Sequence, residues 1–336
     1  MPAPSLRLLT RDNGVGLSRD LRLMAEGLFQ AGFDCERVAF GAGGRSGKAM
    51  ELDLWVRRLR HGRADLQIFL ERIYPRCLPL SKRNVLVPNP EWLLDKWRPL
   101  LPRFDLVLCK TRHAQRIFEA RGCPTAYIGF SSEDRRDVSV PRERAFFHLA
   151  GSSAAKGTEV LLTAWRRHPE WPRLTVVQAE RHARRGPPAP NIEHRIGYLD
   201  DGSLRWLQNR HVFHVCPSEV EGYGHHLVEA MSVGAIVLAT DAAPMNEHVT
   251  HDRGVMIGAR PGRRQGLALT HDVTVEAIEQ AVDYALCLTG LQRAAMAEAA
   301  RTHYLASRRQ FHARMRAIVP VLMGDAARRV VADCAP

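Results

Sequence analysis

The 336-residue sequence lacks any apolar run of about 18 residues, the length that a membrane-spanning helix requires. Its N-terminus, MPAPSLRLLTRDNGVG, also lacks the apolar core of a secretory signal peptide. These absences argue against an integral membrane protein and lead us to expect a cytoplasmic one. Low-complexity and repeated segments are absent as well, and the apolar fraction of 45% is ordinary for a folded globular chain.

Paired cysteines are also absent. The seven cysteines are odd in number and scattered, and no two of them form a C-x-x-C pair. This pattern argues against a disulfide framework and against a zinc site. We therefore expect reduced thiols that fill space in the core.

Lysine is scarce, although the chain is strongly basic. The net charge is +12 and only five residues are lysine, so arginine supplies nearly all of the excess. Such an excess attracts phosphate-bearing partners, whether nucleotides, nucleic acid or an anionic membrane surface. The segment LWVRRLRHGR at 54–63 and the arginine-rich stretch from Arg308 to Arg329 could contact nucleic acid. The first could instead dock peripherally on a membrane, while a solvated helix face is the simpler interpretation.

Short apolar runs alternate with helical patterns along the chain, which is typical of α/β proteins with parallel sheets. The predicted strands lie at 5–10, 36–40, 66–70, 84–87, 105–109, 125–129, 145–150, 174–178, 194–198, 212–216, 235–240 and 254–258. Helical patterns are clearest at 18–31, 112–121, 157–168, 202–209, 224–233 and within 274–323.

The charged segment SEDRRDVSVPRER at 132–144 is the best candidate for a linker between two domains. We predict one Rossmann-like domain at 1–138, a second at 139–315, and a helical tail at 316–336 that could pack back on the first. Two such domains would face a cleft between them. Ligands of these sheets bind at the carboxyl ends of the strands.

The first glycine-rich turn, RDNGVGLSRD, follows a predicted strand and precedes a helix. A dinucleotide-binding fingerprint needs a third glycine where this sequence has Arg19, which weakens an NAD-binding interpretation. Gly14 and Gly16 still allow a ligand to approach the backbone closely.

A second turn, HLAGSSAAKGTEVLL, resembles a Walker A loop at first sight. The Walker order is Gly-Lys-Ser/Thr, whereas Lys156 here precedes Gly157, which argues against an NTPase. What remains is a loop of small residues that ends in a lysine at a helix N-terminus, a geometry that suits a diphosphate. The alternative is a plain turn with an exposed lysine.

The third turn, EGYGHHLVEAMSVG, places Glu221 before a helix and Glu229 in its second turn. The apolar residues of that helix recur at helical spacing, so its stripe belongs to the core and Glu229 lies off it. Two carboxylates near one helix N-terminus can accept hydrogen bonds from sugar hydroxyls. Either residue alone could instead be part of a charged surface.

These residues resemble the E-x7-E motif of retaining, nucleotide-sugar-dependent glycosyltransferases of group 1, which have the GT-B fold. The stretch EGYGHHLVE carries the motif. The similarity extends to the segment before it, RIGYLDDGSLRWLQNRHVFHVCPSEVEGYG, and to the segment after it, EAMSVGAIVLATDAAPMNEHV. The loop AGSSAAKGTEVLL is similar to the one that holds the family's diphosphate-binding lysine. The resemblance covers residues 145–260 and implies an α/β, GT-B protein with an acceptor-binding N-terminal domain.

The resemblance also implies roles for individual residues. Lys156 would neutralise the leaving diphosphate, Glu221 would hold the transferred sugar, and Glu229 would bind the ribose hydroxyls. The other donor-binding positions would be Gly151 and Ser152, the N–H groups around Tyr223, Gly224 and His225, and Ile196 and Tyr198 beside the base. Gly14 and Gly16 of the first turn are donor-binding candidates as well.

The sequence departs from the family in three places. The arginine expected after Gly151 is absent, because the sequence there is SSAA. Arg19 or Lys110 could take the place of that arginine. The usual histidine of an N-terminal strand end is replaced by VLVPNPEW, which offers Asn89 and Glu91. A third departure is His226, which with His225 stands where an apolar residue and proline are frequent; we expect a divergent subgroup whose acceptor differs from that of better-known members.

The implied reaction is a same-face transfer in which the leaving phosphate helps to deprotonate the acceptor hydroxyl. Because the sequence contains no D-x-D, a metal-bridged diphosphate is not expected, and no cofactor is predicted. A glycan, a lipid-linked molecule or another hydroxyl compound would be the acceptor. A nucleotide-sugar epimerase and a basic nucleic-acid-binding or nucleic-acid-modifying protein remain as alternatives, and the oligomeric state stays open.

Overall fold

The computed structural model describes residues 5–11, 16–41, 44–184 and 186–324. The chain divides into two compact units. The first takes in the chain up to Phe130 and again from Arg308 onward, and the second is Ser131–Ser307. Our sequence boundaries, at 138 and 315, lie later in the chain than these two divisions.

Up to Phe130, the described residues of the first unit form a parallel six-stranded sheet and three α-helices. They are β1 (Leu6–Arg11), α1 (Gly16–Gln30), β2 (Glu36–Phe40), α2 (Gly44–His61), β3 (Ala64–Leu70), β4 (Ser81–Val87), β5 (Leu106–Cys109), α3 (Arg112–Glu119) and β6 (Thr125–Tyr127). The strand order is β2-β1-β3-β4-β5-β6. The order reverses direction between β1 and β3, so the topological switch point of this sheet lies there.

The second unit contains another parallel six-stranded sheet. Its elements are β7 (Glu143–Gly151), α4 (Thr158–Arg167), β8 (Leu174–Gln178), β9 (Ile192–Ile196), α5 (Asp201–Arg210), β10 (His211–Cys216), α6 (His225–Ser232), β11 (Ile236–Thr240), α7 (Met245–His248), β12 (Gly254–Ile257), β13 (Ala259–Gln265), β14 (Ala268–Val273), α8 (Val275–Cys287) and α9 (Gly290–Met323). The strand order β12-β11-β10-β7-β8-β9 puts its switch point between β10 and β7.

The core of the second unit follows from sequence pattern. Strands β8 and β11, with the sequences LTVVQ and IVLAT, are buried along their whole length. Such mostly apolar, fully buried runs are typical of parallel strands that helices cover on both faces. Phe146, Phe213 and Trp165 fill the space between the sheet and α4, with the rings of Phe146 and Phe213 stacked at 4.7 Å.

The last part of α9 packs within the first unit. The ring of Phe311 lies 5.1 Å from that of Phe130, and a Cβ at Gly27 would stand 3.0 Å from Phe311. Further along the helix, Arg83 donates to the carbonyl oxygens of Val321 and Leu322 at 2.8 and 2.7 Å. Glycine at position 27 therefore lets α1 and α9 approach each other closely.

The prediction of two α/β units with parallel sheets is confirmed. Two details differ from it. The antiparallel hairpin β13–β14 was not predicted, because its first strand, ARPGRRQ, has no apolar alternation. The predicted linker is not a solvated segment throughout, since the side chain of Arg135 within it is only 4% exposed and hydrogen-bonds Gln208 of α5.

Gly157 allows the loop after β7 to meet the loop after β10. Its φ is +67°, in the left-handed region, and a Cβ on it would stand 2.2 Å from the carbonyl oxygen of Pro217. Nearby, the amide of Glu219 donates to the carbonyl of Ala155 at 2.9 Å. Only glycine satisfies both the backbone conformation and this approach.

We expect Gly157→Ala to destabilise the protein more than Gly122→Ala does. Gly122 has a similar φ of +71°, but an added Cβ there meets nothing within 4 Å. The control should therefore cost only the left-handed penalty of about 1 kcal/mol, and the clash should add about 2 kcal/mol at position 157. Urea unfolding of both variants measures the difference, and equal losses would contradict this account of the contact.

Candidate active site

The carboxyl ends of β7 and β10 carry the two loops that the sequence singled out. These strands are neighbours at the switch point of the second sheet, where ligands of open α/β sheets bind. The loop after β7 leads into α4, and the loop after β10 leads into α6. Two helices thus begin just after neighbouring strands, and the N-terminus of each carries a partial positive charge.

Lys156 and Glu221 meet where the two loops meet. Lys156 Nζ lies 2.5 Å from Glu221 Oε1, and both side chains are largely buried. The ammonium group also lies 3.1 Å from Nδ1 of His226, whose Nε2 is 3.2 Å from the hydroxyl of Ser218. Burial and the charge of Lys156 hold the pKa of His226 well below its usual value. The structure therefore brings together two predicted catalytic residues and one predicted auxiliary residue.

A buried histidine of β7 fixes the base of this arrangement. His148 Nδ1 donates to the carbonyl oxygen of Val215 at 2.7 Å, so its Nε2 accepts from the hydroxyl of Thr158 at 2.9 Å. Burial lowers the pKa of His148 to about 4, which keeps the ring neutral. The ring thus ties β7 to β10 and to the first residue of α4.

The segment from Tyr223 to His225 forms the N-terminus of α6. Gly224 has a φ of +91°, and a Cβ on it would stand 2.8 Å from Leu227. The ring of Tyr223 is buried and meets His225 edge to face at 5.2 Å. His225 Nδ1 lies 2.7 Å from the hydroxyl of Ser132. These contacts set the direction in which the amide groups at the start of α6 point.

Glu229 is placed differently from what its predicted role suggests. Its side chain is 0% exposed, and Oε2 accepts a hydrogen bond from Gln208 Nε2 at 3.0 Å. Gln208 in turn accepts from Arg135 Nε at 2.9 Å. The ribose-binding role of Glu229 stays a prediction, and in this structure its carboxylate belongs to a buried polar network between α5 and α6.

Beside the Lys156 loop lies a cavity of about 290 Å³. It is lined by residues of the β7–α4 turn and of the segment after β8, among them Arg181 and Arg184. No motif pointed to these arginines. Gly151, with a φ of +54°, and the exposed Ser152 begin the same turn. The side chain of Tyr198, just after β9, is 94% exposed.

The remaining predicted residues lie in the first unit. Gly14 is outside the described residues, Gly16 is the first residue of α1, and Arg19 is half-buried on that helix. Lys110, at the carboxyl end of β5, is 3% exposed and pairs with Asp20 of α1 at 2.6 Å. Arg19 and Lys110 are thus placed in a different unit from the loop whose missing arginine they were expected to replace.

The structure adds Glu71, which sequence reasoning missed. Among the described non-glycine residues it alone has a positive φ, +62°, directly after β3 at the switch point of the first sheet. Its carboxylate accepts from Asn89 Nδ2 at 2.8 Å. Burial raises the pKa of Glu71, although the hydrogen bond from Asn89 and the charge of Lys110 oppose the rise. Left-handed backbone and a perturbed carboxyl are both common at functional sites.

The site geometry agrees with a family match. Residues 194–303 match the family described as "Glycosyl transferases group 1". This part of the chain is therefore similar to the glycosyltransferases of group 1. The match covers β10 and α6, with Glu221 and the residues at the start of the helix, whereas the Lys156 loop lies before it.

Solved structures show that the chain has the GT-B fold predicted from its sequence. A glycosyltransferase from Rickettsia africae ESF-5 is 12% identical, with a TM-score of 0.67 over 97% of this chain and 100% of that one. Sucrose-phosphate synthase from Thermosynechococcus elongatus is 12% identical, with a TM-score of 0.70 over 95% and 99%. HepE from Anabaena, in complex with UDP and glucose, is 15% identical, with a TM-score of 0.64 over 95% and 99%. No curated protein sequence matches the chain.

Two absences apply to the part of the chain that the structure describes. No three histidine, cysteine, aspartate or glutamate side chains in it are grouped so that they could hold a metal ion. None of its helices is both long enough and apolar enough to span a bilayer.

We expect glycine to be better tolerated than alanine at position 71. Both substitutions remove the carboxylate and its bond to Asn89, but glycine also removes the left-handed strain, about 1 kcal/mol. The free energies of unfolding should therefore rank Glu71→Gly above Glu71→Ala. At the exposed helical residue Asp283 the order should be reversed, because glycine costs about 1 kcal/mol relative to alanine in a helix. If the alanine variant were the more stable one at both positions, position 71 would be unstrained.

Proposed function

We propose that this chain transfers a sugar from a nucleoside-diphosphate sugar to an acceptor hydroxyl, with retention at the anomeric carbon and without a metal ion. The observation that carries the proposal is the Lys156–Glu221 pair at the switch point of the second sheet. It supplies one cation for a phosphate and one carboxylate for sugar hydroxyls at a single place.

The leaving diphosphate needs positive charge as the glycosidic bond breaks. Lys156 stands at the start of α4, and the amide groups at the start of α6 follow from the neighbouring strand. Fixed dipoles and one ammonium group stabilise developing phosphate charge without reorganisation during the reaction. This arrangement supplies by itself the charge that a bridging metal ion would otherwise contribute.

Glu221 suits the transferred sugar because an ionised carboxylate only accepts hydrogen bonds. In this structure the ammonium group of Lys156 donates a hydrogen bond to this carboxylate. A bound donor would exchange this internal pair for two external ones, diphosphate with the ammonium group and sugar hydroxyls with the carboxylate. The pair therefore holds both groups in position before the donor arrives.

The nucleoside would lie along the loops after β7, β8 and β9. The turn that begins at Gly151 borders the cavity of about 290 Å³, and Ile196 ends the edge strand β9. We assign the ribose hydroxyls to Glu229. Because its carboxylate is buried and accepts a hydrogen bond from Gln208, the ribose hydroxyls would have to replace Gln208 as donors when the nucleotide binds. HepE, in complex with UDP and glucose, makes a uridine nucleotide the first donor to test.

The acceptor hydroxyl is assigned to the polar cluster of the first unit. Asn89 donates to Glu71, and its own Oδ1 is buried without a hydrogen bond from the described residues. Glu91 is buried two residues further on. A cluster of carboxyl and amide groups at a switch point fits a polyhydroxylated acceptor.

The reaction that we propose is a same-face transfer. The acceptor oxygen forms a bond to the anomeric carbon on the face from which the phosphate oxygen leaves, and its proton passes to that phosphate oxygen. Positioning and charge stabilisation supply most of the rate, because the leaving phosphate takes the proton and no side chain of the protein has to do so.

We expect exactly one of UDP, GDP, ADP and CMP to raise the melting temperature of the wild-type protein clearly, because a ligand that binds only the native state stabilises it. Glu221→Ala should keep this shift and lose turnover. Glu229→Ala should lose the shift itself. Glu219→Gln, a half-buried carboxyl in the same loop, is the matched control and should keep both.

Two results would contradict the assignment. A wild-type protein that responds to no nucleotide has no donor site of this kind. Equal losses of binding in Glu221→Ala and Glu229→Ala would mean that the two carboxylates do not divide sugar and ribose between them.

The stereochemistry and the metal requirement have their own test. With the donor identified by the nucleotide screen, proton NMR of the first product formed should show the anomeric configuration of the donor. The initial rate should be unchanged by EDTA, because Lys156 and the helix N-termini supply the charge. An inverted product, or a rate abolished by EDTA and restored by Mg²⁺ or Mn²⁺, would refute this part of the proposal.

A further inference from the structure

His226 lies in the first turn of α6, directly against the ammonium group of Lys156. Its side chain is enclosed, at 7% residue exposure, and both ring nitrogens have polar neighbours. Nδ1 is 3.1 Å from Lys156 Nζ, and Nε2 is 3.2 Å from Ser218 Oγ. The sequence predicted only an auxiliary role for His226, and its contact with Lys156 is what the structure adds.

The neighbours of the ring determine its protonation state. An ammonium group has only donors, so Nδ1 must present a lone pair to Lys156. The ring proton is then on Nε2, where it can be donated to the hydroxyl oxygen of Ser218. A doubly protonated ring would direct an N–H group at the ammonium, which agrees with the lowered pKa of His226.

Ser218 anchors the ring to the sheet. Its side chain is fully buried, and its carbonyl oxygen accepts from Thr240 Oγ1, at the end of β11, at 2.8 Å. The chain of contacts from Thr240 through Ser218 and His226 therefore ends at Lys156 Nζ. A lysine side chain has many rotamers, and a fixed acceptor at its tip removes most of that freedom before a ligand arrives.

We propose that His226 is a positioning residue that holds the ammonium group of Lys156 at the diphosphate site through a neutral Nδ1 acceptor. This inference rests on the proposed function, in which Lys156 binds the donor diphosphate. Glu221 is the other anchor of the ammonium group, and it is the one that the sugar would occupy. His226 is therefore the contact that remains when the donor has bound.

Two substitutions separate the nitrogens of the ring. In His226→Asn the amide oxygen can take the place of Nδ1 and still accept from Lys156. In His226→Gln the longer amide reaches the place of Nε2, keeps the contact with Ser218 and leaves no acceptor for the lysine. The pair thus tests the contact with Lys156 while both variants keep a polar side chain.

The probes are the nucleoside diphosphate that stabilises the wild-type protein and its monophosphate, with dissociation constants measured by calorimetry. Wild type should prefer the diphosphate. His226→Gln should lose about tenfold in diphosphate affinity, the order expected for a weakened charge-assisted contact, with little change for the monophosphate. His226→Asn should stay within about threefold of wild type, because it restores the acceptor.

A double-mutant cycle of His226→Gln with Lys156→Ala tests whether the loss of affinity reflects the contact between these residues and not a general loss of folding. In a Lys156→Ala background the diphosphate preference should disappear, and His226→Gln should then have no further effect on it. An equal effect of His226→Gln with and without Lys156 would overturn the inference, as would equal losses in the Asn and Gln variants. A wild-type protein that binds no nucleotide would instead refute the proposed function on which the inference rests.

Discussion

The close approach of two loops, made possible by Gly157, is the constraint on which the candidate site depends. Position 157 leaves no room for a Cβ against the carbonyl of Pro217, and the amide of Glu219 hydrogen-bonds the partner loop. These backbone contacts place the lysine of one loop 2.5 Å from the carboxylate of the other. Moving the loops apart by a side-chain width would separate the charges that the proposed chemistry needs side by side.

Neutral histidines serve as connectors around this contact. His148 joins two strands and a helix, and His248 Nε2 donates to the carbonyl oxygen of Tyr223 at 2.8 Å. Burial lowers the pKa of each of these two rings to about 4. A neutral imidazole offers one donor and one acceptor in a rigid plane, without the desolvation cost of a buried charge. In a protein of net charge +12, such rings tie loops together without adding to the repulsion.

The sheets could be predicted from the sequence because strands such as LTVVQ and IVLAT are mostly apolar, as strands that are buried along their whole length require. The Lys156 and Glu221 loops were found because glycine and charge stand at fixed distances along the chain. Glu71 carried no such signal: its left-handed backbone and its bond to Asn89 arise from the packing of β3 and β4. Arg135 was missed for the opposite reason, since a charged stretch predicts solvent exposure and this guanidinium is buried by a network across α5.

Arginine does structural work in this chain that net charge cannot reveal. Arg142 donates to the carbonyl oxygens of Val233 and Gly234, and Arg301 donates to that of Ser232 at 2.6 Å. These carbonyls lie at the C-terminal end of α6, where helix carbonyls lack partners and cations are favoured. Two guanidinium groups therefore satisfy one end of the helix whose other end faces the proposed diphosphate site. Part of the positive excess that suggested a polyanion partner therefore holds α6 in place. Arginine suits this role because one guanidinium group can donate to several carbonyls, whereas a lysine supplies a single point charge.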